Sequence, residues 1–291
     1  MLSGCSKTTE DVITISAAKS PAIYSAIAYA EEHPEVEVTT WDTFDTLLAH
    51  IQTDQATLFA LPLNVGATLY NKDIPLQLIQ VNNWGSMFLV STVETPLSAL
   101  EQQTIYVPSQ GGPPDLLFNF IMQQQHIKNV STTFVNMNDI AQQIANGTIQ
   151  HAIIPEPMLS TLQANLKQPL SITIDFNNFW QTQFGTDLPQ TGIFAKKDWL
   201  NNHSKFVANY QQQQQVDIIK NISTHNTIQS ISTYLDLSPT IIKNSLQNSI
   251  LVSDAPLTMR EEVENYLSIL AAHNPESIGG ALPSQDFYYE S

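Results

Sequence analysis

The sequence predicts an α/β protein of two lobes completed by a helical C-terminal third. Strand-like and helix-like segments alternate along the chain. That alternation occurs twice in tandem, and the last third then reads mostly as helix. Strands alternating with helices imply sheets covered on their faces, and two such units in series imply two lobes.

The first pass opens with Val12-Ile13-Thr14-Ile15-Ser16, a β-branched run suited to a strand. Pro21 follows a short loop and is placed to start a helix running to about Glu32. Glu35 to Thr39 alternates, with Val36 and Val38 on one face. Phe44, Leu47, Leu48 and Ile51 then keep helical spacing. Thr57 to Leu61 is a third strand stopped by Pro62, a short helix reaches about Asn71, and Leu76 to Val81 is a fourth strand.

The second pass repeats the order. Thr104 to Val107 is a strand and Ser109 to Pro114 a turn. The next helix carries Leu116, Leu117, Phe120, Ile121 and Ile127. Thr132 to Val135 is a strand, Asn138 to Asn146 a helix that Gly147 ends, and Ala152 to Ile154 a strand that Pro155 breaks. Leu170, Ile172 and Ile174 alternate in the closing strand. Beyond it, Asn202 to about Tyr234 is polar-rich, and Met259, Val263, Tyr266, Leu267 and Leu270 mark an amphipathic helix. The run Gln211 to Gln215 lies among Phe206, Val207, Tyr210 and Val216, which predicts one solvated helix face. The segment past Ser277 reads as an irregular, weakly ordered tail.

The charge restricts the partners. Against 11 basic residues stand 27 acidic ones, giving a net charge of −16 over 291 residues. Nucleic acid is excluded, because its binding needs Lys and Arg to neutralise phosphates. No run approaches the ~20 apolar residues of a membrane span. One cysteine gives no disulfide framework. The seven histidines show no metal spacing, no Gly-x-Ser-x-Gly elbow occurs, and no catalytic constellation, metal site or cofactor motif stands out.

Ligands of open α/β sheets bind beyond the carboxyl ends of the strands. In lobe one those stretches are Ser16 to Ser20, Trp41-Asp42, Pro62 to Asn64 and Asn82 to Ser86; in lobe two they are Ser109 to Gly112, Met137-Asn138, Glu156 and Phe176 to Trp180. The candidate ligand-binding set is Ser16, Lys19, Tyr24, Trp41, Asp42, Asn64, Trp84, Ser109, Gln110, Gly111, Gly112, Glu156 and Trp180. The glycine pair permits close backbone approach ahead of a helix start, where N–H groups attract an anion or a carbonyl oxygen.

Leu2-Ser3-Gly4-Cys5 resembles the lipobox of bacterial lipoproteins, in which the Cys is lipidated. Further along stand Ile105-Tyr106-Val107-Pro108-Ser109-Gln110-Gly111-Gly112, Ala152-Ile153-Ile154-Pro155-Glu156-Pro157 and Leu188-Pro189-Gln190-Thr191-Gly192-Ile193-Phe194-Ala195. With these the chain resembles the extracytoplasmic solute-binding proteins of ABC transporters, in the branch for nitrate, sulfonates, taurine and thiamine precursors. The resemblance implies a periplasmic-binding-protein type II fold with two hinge crossovers, near Phe88 to Thr92 and near Thr191 to Lys196. The resulting division is a tether at 1–11, lobe one at 12–90, lobe two at 91–193, a mostly helical return to lobe one at 194–276 and a tail at 277–291. It also implies a monomer held to a bacterial membrane through a lipid anchor, closing on a small molecule and delivering it to a permease with its ATPase.

Arg260 is the only arginine and lies on the C-terminal helix, so a guanidinium clamp in the cleft is excluded. Trp41, Trp84, Tyr24 and Trp180 favour a flat heterocycle such as a thiamine pyrimidine precursor. A small anion (an alkanesulfonate, taurine or nitrate) is the alternative, and a structural surface lipoprotein is the alternative of another class. The pyrimidine synthases of fungal thiamine biosynthesis share the fold, but their cysteine-rich signature cannot be supplied by one Cys.

Overall fold

The computed structural model describes residues 12–216, 221–251 and 256–290. Cys5 and the rest of the expected tether lie outside these residues. Lobe one begins as β1 (Ile13–Ala17), α1 (Ala22–Glu32), β2 (Val36–Thr40), α2 (Phe44–Gln52), β3 (Leu58–Pro62), α3 (Leu63–Asn71) and β4 (Leu76–Asn83). Lobe two follows as β5 (Met87–Ser91), β6 (Thr104–Val107), α4 (Pro113–Gln124), β7 (Ser131–Phe134), α5 (Met137–Ala145), β8 (His151–Pro155), α6 (Met158–Asn165), β9 (Ser171–Asp175) and α7 (Phe176–Phe184). The chain then returns through β10 (Thr191–Lys196), α8 (Lys197–Asn202), α9 (Ser204–Val216), α10 (His225–Leu235), α11 (Pro239–Gln247) and α12 (Pro256–His273).

The strands form two five-stranded sheets, ordered β2-β1-β3-β10-β4 and β7-β6-β8-β5-β9. In each, three strands pair in parallel and one strand intrudes antiparallel: β10 between β3 and β4, β5 between β8 and β9. These two intruders are the segments expected to be the crossovers. The chain in fact changes sheets just before each of them, at 84–86 and at 185–190, and pairs as soon as it arrives. The strand Met87–Ser91, expected to straddle the lobe boundary, therefore lies wholly in the second sheet, and Thr191–Lys196 wholly in the first.

All eight residues of β4 are buried, because helices cover both faces of the first sheet. A register shift against β10 leaves Ile79 as an extra residue between Leu78 and Gln80. Leu76, Leu78 and Val81 thereby join one hydrophobic cluster while Ile79 joins another, with α1 and α9. The first cluster runs without a break through both lobes, from Leu47 and Phe194 to Phe120, Trp180 and Tyr266. Helix α12 links them, packing on α3 and β4 of lobe one and on α4 of lobe two.

Two sequence expectations are corrected here. The run Gln211–Gln215 does lie on helix α9, but not as a solvated face: Gln211 donates to the Ile79 carbonyl at 2.9 Å and Gln214 is buried. The segment after Ser277 is irregular yet firmly docked. Phe287, Tyr288 and Tyr289 are buried, and Tyr289 donates its N–H to the Leu78 carbonyl on the open edge of β4. Three bulky aromatic side chains in succession hold a segment that lacks the periodicity of any regular element.

Candidate functional site

A cleft of about 420 Å³ opens where the two sheets present their strand ends to each other. Its lobe-one wall comes from the β1–α1 loop (Ala18 to Pro21) and the β3–α3 junction (Ala60, Pro62, Asn64 and Val65). Lobe two contributes Ser109, Gly112, Pro113 and Pro114 before α4, with Pro155 and Glu156 after β8. Asn83, Ser86, Met87, Gln190 and Thr191, at the two crossovers, form its back, and Tyr266 reaches it from α12. The size suits a small organic solute.

The helices facing this space start differently from five of those around it. Helices α2, α5, α7, α10 and α11 are capped by the side chains of Thr43, Asn136, Asp175, Thr224 and Ser238. Helices α1, α3 and α4 begin at Pro21, Pro62 and Gly112, with no side-chain cap. The first-turn N–H groups of a helix have no partner within it, and a side-chain cap would compete with any ligand for them. The positive ends of these helix dipoles face the cleft, but few of their N–H groups are left over: Ile23, Tyr24 and Leu63 already donate to the Ser20, Pro21 and Gln190 carbonyls, and α4 opens on Pro113 and Pro114, which have no N–H.

Charge in the cleft is sparse. Lys19 stands exposed at the rim. Glu156, nearly fully buried, accepts from Ser160 N (3.1 Å), Ser160 Oγ (2.9 Å) and Asn248 Nδ2 (2.7 Å). Asn248 belongs to the C-terminal helical region, so this carboxylate ties lobe two to the elements that cover lobe one. Three hydrogen bonds offset the cost of burying the charge.

Behind the cleft, Asn83 Nδ2 donates to Ser86 Oγ at 3.2 Å, and Ser86 Oγ donates to Gln190 Oε1 at 3.0 Å. Gln190 N in turn donates to the Asn83 carbonyl, and Leu63 N to the Gln190 carbonyl. Both crossovers are thus stitched to one another and to the start of α3. Among the described residues no group of three His, Cys, Asp or Glu side chains is placed to hold a metal, and no helix is long and apolar enough to cross a membrane.

Of the residues singled out in the sequence, Lys19, Asn64, Ser109, Gly112 and Glu156 line the cleft. The others do not. Ser16 is buried within β1 and bonds His50 Nδ1 at 2.8 Å. Tyr24 is buried on α1, bonded to Ser245 Oγ at 2.9 Å; burial raises its phenol pKa well above the usual range, the Glu156 carboxylate adds to this, and the Ser245 bond works against it. Trp41 packs on the large hydrophobic cluster, and Asp42 points to solvent. Trp84 is 3% exposed, because the crossover that carries it passes behind the cleft and turns the indole into the core between the lobes. Trp180 lies among Phe184, Phe120 and Tyr266, with ring centroids 4.5 to 6.3 Å away. Gln110 is exposed outside the cleft. Gly111, at φ +68°, makes the turn, its N–H donating to Asp115 Oδ2 at 2.9 Å.

Gln190 and Tyr266 line the cleft outside the candidate stretches, whereas Asn83 and Ser86 fall inside the stretch Asn82 to Ser86, on either side of the core indole of Trp84. Tyr266 has the spacing of a core residue, and its contact with the cleft depends on where α12 docks.

In sequence the chain matches no family model and no curated protein. In structure it is similar to an ABC transporter protein from Parabacteroides distasonis, with 24% identity, a TM-score of 0.77 and coverage of 97% of this chain and 99% of that one. It is also similar to the periplasmic aliphatic sulphonate-binding protein of Escherichia coli (12% identity, TM-score 0.76, 96% and 92% covered). A third is the periplasmic nitrate-binding protein of Synechocystis (12% identity, TM-score 0.64, 92% and 84% covered). Likeness at these identities reports architecture, and here it spans nearly the whole chain. The protein has the two-lobed, type II fold of ABC-transporter periplasmic binding proteins.

Proposed function

We propose that the protein is the extracytoplasmic solute-binding component of an ABC importer, and that its cleft takes a small organic anion. The observation that carries this reading is the convergence of three helix starts without side-chain caps, α1, α3 and α4, on one cleft between two lobes. Their dipoles, more than their few remaining N–H groups, supply a positive field for an oxyanion without any arginine, and Lys19 adds a positive charge at the rim. The Ala, Pro, Val and Met side chains around them suit a short apolar body. Sulphonate and nitrate binding by two proteins of like fold points the same way.

Solute capture then follows from the geometry. The two crossovers are hinges, closure of lobe two on lobe one expels water, and the closed form is what a membrane permease and its ATPase receive. The protein acts as a monomer outside the cytoplasm, anchored by lipid on Cys5. A flat heterocycle such as a thiamine pyrimidine precursor is the second reading, favoured by Tyr266 and Glu156 in the lining.

Calorimetric titration with ethanesulfonate, taurine, nitrate, thiamine and its pyrimidine precursor separates the two. Binding of a sulfonate or nitrate with no response to the heterocycles supports the first reading; the opposite pattern installs the second. For the anchor, Cys5→Ala expressed behind a secretory leader should move the protein from the membrane to the soluble fraction at unchanged affinity. Continued pelleting with membranes would refute lipidation.

A further inference from the structure

Two side chains of the cleft carry buried oxygens with nothing to accept. Asn64 is 8% exposed and Asn83 is 3% exposed, both line the cleft, and the Oδ1 of each has no hydrogen-bond partner. Their orientation is fixed from behind. Asn64 Nδ2 donates to the Ser277 carbonyl at 3.2 Å, an atom that can only accept, so its own carbonyl must face the other way. Asn83 Nδ2 donates to Ser86 Oγ, whose single proton is committed to Gln190 Oε1. Flipping Asn64 would set oxygen against oxygen, and flipping Asn83 alone would leave the network a proton short.

Buried carbonyl oxygens are rarely left unpaired, because removing them from water without a replacement donor is costly. Here both belong to lobe one and sit near the start of α3, and the buried Glu156 carboxylate lies across from them on lobe two. The cleft therefore holds acceptors, at Asn64, Asn83 and Glu156, beside the positive helix starts and Lys19.

We infer that the solute carries an N–H donor, an ammonium or amino nitrogen, which is read by Asn64 and Asn83. This rests on the organic-anion reading of the cleft and narrows it to amino-bearing anions. An anion that lacks the nitrogen leaves both oxygens unpaired, so it should be selected against even when its head group and chain length are right.

Matched probes test this on the unaltered chain: 3-aminopropanesulfonate against propanesulfonate, and β-alanine against propionate, each by calorimetry. At least about tenfold tighter binding of the amino member of a pair is expected, the size of one hydrogen bond to a charged donor. In Asn83→Ala the acceptor is removed, so the preference for the amino member should narrow. Equal affinities within both pairs would overturn the inference and leave the organic-anion reading intact. No binding of any of the four would overturn that reading and the inference with it.

Discussion

The two lobes share one strand order and differ in what covers it. Replacing β1, β2, β3, β4 and β10 by β6, β7, β8, β9 and β5 turns one sheet into the other. Yet β4 is buried at every residue, whereas its counterpart β9 exposes Ile172 at 46%, and β7 is largely open to solvent. The difference arises after the duplicated part ends. Helices α8 to α12 and the C-terminal tail return to lobe one, while lobe two is met chiefly by α12 and by a contact between α11 and α6. A tandem fold thus becomes one heavily covered lobe and one lightly covered lobe. The covered lobe holds the acceptors Asn64 and Asn83; the lighter one supplies the opposite wall of the cleft.

The comparison can be broken most directly in the cores. Phe194 on β10 is fully buried; an alanine Cβ at Gly66 would lie 2.2 Å from its ring, so that glycine exists to admit it. Phe194→Ala should cost about 3–5 kcal/mol in chemical denaturation. Phe88 on β5, its counterpart, packs in the smaller lobe-two cluster. Phe88→Ala should fall at or below the lower end of that range. A larger loss at Phe88 would reverse the ranking of the lobes.

A smaller effect is expected where the lobes meet. Glu156→Ala removes the acceptor for Ser160 and for Asn248, leaving buried donors unpaired, at about 1–3 kcal/mol. Asn248→Ala should cost about 1 kcal/mol, and the double variant less than the sum, since both act through one bond. Additive losses in urea denaturation would show that Glu156 acts only within lobe two, as the cap of α6.

Much of this asymmetry was readable in the sequence, and the unreadable part has physical reasons. Eight strands were legible because their β-branched and alternating runs are local signals. Strands β5 and β10 were taken for crossovers, since an antiparallel intruder is defined by the sheet it joins and not by its own pattern. Lys19, Asn64, Ser109, Gly112 and Glu156 line the cleft as expected of strand-end positions, which are set by the local order. Trp84 and Trp180 were not separable from cleft residues. An indole after a strand can turn toward the ligand or the interlobe core, and only the course of the crossover decides.

Acid should sharpen the contrast. His151 on β8 is buried against Ser91 Oγ at 2.7 Å, and burial lowers its pKa below the usual value. The unfolded chain takes up a proton near pH 6.5 while the folded lobe resists it. Stability from this group is therefore complete above about pH 6.5 and is lost as pH falls below it, until the folded imidazole also protonates. His151→Gln should flatten that part of the slope. Urea midpoints at pH 7.5 and 5.5 test this; a pH response identical to that of the unaltered protein would remove His151 as a cause.

The smallest change in stability, and the most informative about the cleft, is Gly112→Ala. Gly112 precedes α4 at φ −86°, a conformation any residue adopts, so no backbone strain is introduced. The added Cβ would lie 2.7 Å from Ser109 Oγ, the end of a short side chain on an exposed residue that can rotate away. Stability should fall by about 1 kcal/mol at most, because glycine is a fair helix N-cap and alanine a poor one. The methyl and the displaced hydroxyl both occupy space lining the cleft, at its lobe-two wall. Affinity for a bound anion should therefore drop several-fold while the melting curve barely moves, because crowding here acts on the closed complex and not on either core. Unchanged affinity in calorimetry would make the Ser109–Gly112 turn a plain connector and leave recognition to lobe one alone.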